Sequence, residues 1–207
     1  GNGAFITPDT STTTIQGVLG STLQGLSLAQ PLDWFNDGTI LWNNNDITLT
    51  NASIFNDGEF YISLAAGGQV SGTNAQIING VGAELGIGVI SVGAVTFNVP
   101  FENSGVLNIA LASDTLNISN NLILENGALL MGEGTLNLSG GTGTLTVGNG
   151  GGIAPGQNDD GVLTIGGNLV INPGAQLMFD LESNTLGLLA DRIVVSFGNT
   201  VTINGGD

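Results

Sequence analysis

The chain has 207 residues, 35 of them glycine, with 41% hydrophobic and only 9% charged residues. Asp and Glu together number 17 against a single basic residue, Arg192, and Lys, His and Cys are absent, for a formal net charge of −16. That inventory excludes phosphate-neutralising recognition of nucleic acid and attraction to an anionic membrane surface. It equally excludes disulfide staples, Ser-His-Asp triads, Schiff-base lysines and Cys/His zinc sites.

In chain order, residues 1–34 carry loose Thr- and Leu-rich segments, and we expect them to cap the open end of a core or to pair with another strand edge. From residue 35 onward short apolar–polar alternations recur. The tripeptide aliphatic, Asn or Thr, aliphatic appears as Leu107-Asn108-Ile109, Leu116-Asn117-Ile118, Leu136-Asn137-Leu138, Leu145-Thr146-Val147 and Leu163-Thr164-Ile165. Each is a short strand with one buried face. Glycine interrupts nearly every window long enough for a helix.

Between the strands, an asparagine beside or just before a glycine recurs at Asn36, Asn56, Asn79, Asn103, Asn126, Asn149 and Asn172, in steps of 20 to 24 residues. Asn and Gly tolerate a left-handed backbone, so each pair marks a corner. A fixed period in the low twenties marks a stack in which each turn touches only its neighbours. We therefore predict an all-β, right-handed parallel β-helix of about 8–9 coils of 20–24 residues over 35–207. The seven asparagines form its corner column, with amides able to bond along the axis. After Asn172 the next such corner, Asn204, comes 32 residues on, and residues 182–190 fit a loop or short helix inserted in one coil.

The C-terminal third carries a more specific pattern. Gly143-Thr-Leu-Thr-Val147, Gly152-Ile-Ala-Pro-Gly156, Gly161-Val-Leu-Thr-Ile165, Gly167-Asn-Leu-Val-Ile171, Gly174-Ala-Gln-Leu-Met-Phe179 and Asp191-Arg-Ile-Val-Val195 follow in order. This resembles the passenger-associated strand repeat of bacterial autotransporters and related secreted β-helix adhesins. The resemblance implies an extracellular or cell-surface location and a β-helical stem. That family includes adhesins, proteases and plain stalks, so the resemblance points to architecture more than to activity.

Candidate sites are few. Asp37 and Asp57 occupy the same corner position of adjacent coils, where Ca²⁺ could bridge them with the Asn36 and Asn56 carbonyls. Asp159 and Asp160 in a polar turn form a weaker calcium candidate, and no other cofactor is expected. Asp57/Glu59, Asp159/Asp160 and Asp180/Glu182 are the closely spaced carboxylate pairs a glycosidase would need. Arg192 is the sole cation a lyase could use, and its place in Asp191-Arg192-Ile193 reads as a strand start. We expect no enzyme. Asn51, Asn117 and Asn137 match the N-glycosylation acceptor. Trp34, Trp42 and Tyr61 read as core or end packing, with a sugar-stacking strip as the alternative. The expected partners are copies of the same chain, the remainder of a longer polypeptide, or surface glycans and neighbouring cells. The expected function is a structural stalk or adhesin stem. A head-to-tail filament subunit is the alternative, and a carbohydrate-active enzyme the least favoured reading.

Overall fold

A computed structural model describes residues 5–7, 12–15, 26–29, 33–42, 46–64, 66–88, 93–156, 161–184 and 187–205. Among these, the only helical piece is a single 3-10 turn, Ser139–Gly141. Every other regular element is a short strand, and apart from one antiparallel hairpin the strands stack in parallel as a β-solenoid.

Three strands make one turn of the coil, and each joins a different sheet. The second and third sheets are both eight strands deep, running from Thr12–Ile15 to Gln176–Leu177 and from Leu26–Ala29 to Arg192–Val195. The first face is divided instead into a five-stranded sheet, Phe5–Thr7 to Phe101–Asn103, and a four-stranded one, Leu122–Leu124 to Val201–Ile203. The segment 1–34 thus contributes three strands that pair in parallel with Trp34–Asn36, Thr39–Trp42 and Ile47–Thr50.

Register stacks like on like. Along the second sheet Ile40, Phe60, Leu85, Leu107, Leu130 and Ile153 lie one above another, all inward. Each is 0% exposed. Period-two alternation forces this result, because a strand whose aliphatic residues face the core must turn its Asn and Thr outward. The inward side chains form one core cluster from Trp34 to Ile171.

Asx side chains trim the coil edges. Asp33, Asp46 and Asn121 stand just before strands and accept the N–H groups of Ser53, Gln69 and Thr144 one turn later, at 3.1, 3.0 and 2.9 Å. On the outer face of the third sheet Asn137 donates to Asn117 Oδ1 at 3.0 Å, and Asn117 donates to Thr96 Oγ1 at 3.2 Å.

The insertion at 182–190 is neither a loop nor a helix. Leu181–Asn184 and Gly187–Ala190 pair antiparallel as a hairpin, because a chain that leaves and re-enters one strand position can bond to itself. Asp191, 7% exposed, holds the hairpin's root: its carboxylate accepts the N–H groups of Gly161 and Asp180, both at 2.8 Å. The expected Asp-Arg strand start is thus a bracket in which Asp191 bonds to backbone.

Exposed apolar side chains mark the last described strands. Leu177, Val201 and Ile203 continue inward-facing columns, yet they are 39%, 54% and 66% exposed.

Candidate functional site

Asn36, Asn56, Asn79 and Asn103 end successive strands of the first sheet, in register. Three are 0% exposed and Asn103 is 5% exposed. A buried amide must place two N–H protons and one carbonyl, or its desolvation goes uncompensated. The first three Nδ2 groups donate to Oδ1 of the asparagine one turn on: Asn36 to Asn56, then Asn56 to Asn79 and Asn79 to Asn103, the last two at 2.7 Å. The second proton goes to a corner carbonyl, Glu59 O at 3.0 Å from Asn36, Glu84 O at 3.0 Å from Asn56 and Val106 O at 2.9 Å from Asn79. At the start of the ladder, Gly38 N–H donates to Asn36 Oδ1 at 3.2 Å. The amides all point the same way along the stack.

Asn126, Asn149 and Asn172 lie outside this ladder. In their turns of the coil the strand ends at Leu124, Val147 and Ile171, and these buried aliphatics take the position that Asn79 and Asn103 hold earlier. The asparagine falls within the four-residue turn that follows. Asn126 and Asn149 are exposed on corner tips, Asn126 with a φ of 53°, and Asn172 accepts Asn204 Nδ2 at 3.0 Å. Both positions satisfy an Asn-Gly corner, so an interval counted along the chain does not separate them.

The ladder stops where the first sheet stops. Phe101–Asn103 and Leu122–Leu124 belong to separate sheets. In place of strand pairing, the Asn120 side chain accepts Phe101 N–H at 2.9 Å and donates to Phe101 O at 3.0 Å. A cleft of about 540 Å³ opens at this break, bordered by Val81, Glu102, Asn103, Ile123, Glu125 and Asn126. Its volume lies within the range of small-ligand sites. Sequence reading missed it, since no motif announces a sheet break. The one signal was Asn120-Asn121 standing immediately before a strand.

The calcium candidates fare differently from one another. Register does place Asp37 beside Asp57 on adjacent turns. The amide oxygens meant to complete that site are engaged, because Asn36 Oδ1 accepts Gly38 N–H and Asn56 Oδ1 accepts from Asn36. Among the described residues no group of three or more His, Cys, Asp or Glu is arranged to hold a metal. Asp159 and Asp160 lie outside the described residues. Of the carboxylate pairs, Glu59 accepts the Thr39 hydroxyl at 2.9 Å, while Asp180 sits at the hairpin root and Glu182 in the hairpin.

Trp34 and Trp42, 2% and 0% exposed, pack around Phe60 at ring-centroid distances of 6.2 and 6.4 Å, so they belong to the core. On the outer face of the first sheet Phe35 and Phe55 stack at 4.9 Å and 9°. Of the glycosylation acceptors, Asn51 is exposed in a bend with φ 50°, whereas the Asn117 and Asn137 amides are engaged on the third sheet.

Tyr61 faces outward, its hydroxyl 3.5 Å from Glu84 Oε2, and its ring lies over Gly86, where an added Cβ would meet Cδ1 at 2.7 Å. Partial burial, then the charges of Glu84 and Glu59, raise its pKa above the usual 10.0. A raised phenol pKa favours the protonated folded form, so this contribution to stability is complete below pH 10 and is lost as pH rises through the folded-state value. Tyr61 is the only tyrosine, so alkaline absorbance titration reports on it alone. We expect a midpoint above that of the unfolded chain, moving down in Glu84→Gln; an unmoved midpoint refutes the electrostatic part.

No protein-family model matches the chain, and no curated protein and no solved structure is similar to it.

Proposed function

We propose that this protein is an extracellular structural β-solenoid, a cell-surface stalk or adhesin stem of the autotransporter-passenger kind, without enzymatic activity or a required cofactor. The observation that carries the reading is the single core from Trp34 to Ile171 with two sheets eight strands deep. Such a stack transmits load along its axis because every turn is bonded to the next through backbone ladders. The passenger-like strand motifs of the C-terminal third support the location and the role. The absence of Lys, His and Cys supports an inert rod, and incubation with pectin, alginate and glucans should release no product.

A second reading, a subunit of a head-to-tail filament, is favoured by the exposed apolar residues on the terminal strands of the sheets. Gln176–Leu177, Arg192–Val195 and Val201–Ile203 are the terminal strands of their sheets. Their apolar residues and free edges fit another solenoid coil, which alone pairs three parallel edges at once. Phe5–Thr7, Thr12–Ile15 and Leu26–Ala29 end the stack on the opposite side, so copies stacked end to end form a contact that propagates without closing.

Electron microscopy and sedimentation across concentration separate the two. The stem predicts short rods of constant mass. The filament predicts rods that lengthen with concentration and stay short in Val201→Asp/Ile203→Asp. Compact, non-elongated particles defeat both readings.

A further inference from the structure

We propose that the cleft at the sheet break is a binding site for a neutral, polyhydroxylated ligand, an uncharged oligosaccharide segment, whether the rod is a stem or a filament subunit. At Asn103 the pattern of ladder bonds changes. On the three preceding turns the ladder amide donates one proton to a corner carbonyl and the other to the next asparagine. Asn103 Nδ2 donates to Gly105 O, at 2.9 Å, and the next strand of that face, Leu122–Leu124, belongs to a separate sheet and ends in an aliphatic residue. Its second proton has no acceptor among the described residues. The amide is 5% exposed and borders the cleft, so a largely buried donor stands at that opening. Leaving such a proton unbonded is unfavourable, and an oxygen entering the cleft relieves it.

The rest of the lining selects the oxygen. Glu102 and Glu125 border the same cleft and accept hydrogen bonds without donating any. An anionic ligand meets two carboxylates in a chain whose single cation, Arg192, belongs to the third sheet. A metal cation satisfies the carboxylates but leaves the Asn103 N–H facing positive charge. A hydroxyl does both jobs, accepting from Asn103 and donating to a glutamate. Val81 and Ile123, 79% and 56% exposed, supply apolar walls for the C–H faces of a pyranose ring.

The test is calorimetric titration of the intact chain with maltopentaose, cellopentaose, mannopentaose and chitopentaose, with trigalacturonate and Ca²⁺ alone as charged probes. Binding of at least one neutral oligosaccharide is expected, with neither charged probe competing. Glu102→Gln/Glu125→Gln should weaken it about tenfold, the loss expected when hydrogen bonds to charged acceptors are removed. Ile123→Trp, an exposed change that fills the cleft, should abolish binding with the strand signal in circular dichroism unchanged. The proposal is overturned if none of the four binds, if binding survives Ile123→Trp, or if Ca²⁺ or the uronate displaces the sugar. Each of these results leaves the rod reading standing, and filament growth or its failure leaves the cleft untouched.

Discussion

Replacing Asn56 with leucine is expected to lower the unfolding free energy by about 3–5 kcal/mol, because the change strands several buried groups at once. Asn36 Nδ2 loses its acceptor and Asn79 Oδ1 its donor, while Glu84 O and Gly58 O lose the Asn56 amide. Each orphaned polar group costs about 1–3 kcal/mol, partly offset by the apolar side chain gained. Asn103→Leu should cost roughly half as much, since it has one ladder neighbour rather than two. Denaturant titration followed by tryptophan fluorescence reads the Asn56 change, because Trp34 and Trp42 sit in the core of the adjacent turn, paired with Ile54 and Ile62. A loss below about 1 kcal/mol for Asn56→Leu, or equal losses at 56 and 103, would sink the ladder as a stabilising unit.

Gly132→Ala is expected to cost at least about 3 kcal/mol, whereas Gly127→Ala should cost only about 1 kcal/mol. Both glycines have positive φ, 110° and 96°, so both substitutions carry backbone strain. Only Gly132 also meets an obstacle. A Cβ there would stand 2.1 Å from Ile109 O in the preceding turn, while at Gly127 nothing lies within 4 Å. The obstructing carbonyl cannot swing away, because it accepts the N–H groups of both Glu133 and Gly134, at 2.9 and 3.0 Å. Relief requires two turns of the coil to separate, and backbone spacing in a stacked sheet has little slack. Equilibrium unfolding of the two variants decides the matter. Equal losses would mean that close approach between turns contributes nothing beyond conformational strain.

Sequence alone determined that this protein is a parallel stack of short strands with one shared core. The reason is that both signals are local. Period-two alternation in stretches such as Leu107-Asn108-Ile109 fixes which face is buried, and the Asn-Gly corners fix where the chain turns. Four members of the asparagine column were legible for the same reason, since a strand's last residue and a two-residue turn look alike from Asn36 to Asn56. The remainder was not. Whether an asparagine ends the strand, as Asn79 does, or lies within the following turn, as Asn126 does, depends on where the neighbouring turn's backbone bonds begin. That information sits more than twenty residues away. The hairpin at Leu181–Asn184 and Gly187–Ala190 was visible only as excess length, because Asp191 closes it through Gly161, 30 residues upstream. Tertiary structure alone likewise decided the cleft. It arises where Phe101–Asn103 and Leu122–Leu124 fail to pair while the other two sheets continue past them. A missing ladder between two well-formed strands is a property of their relative position, which no run of residues encodes locally.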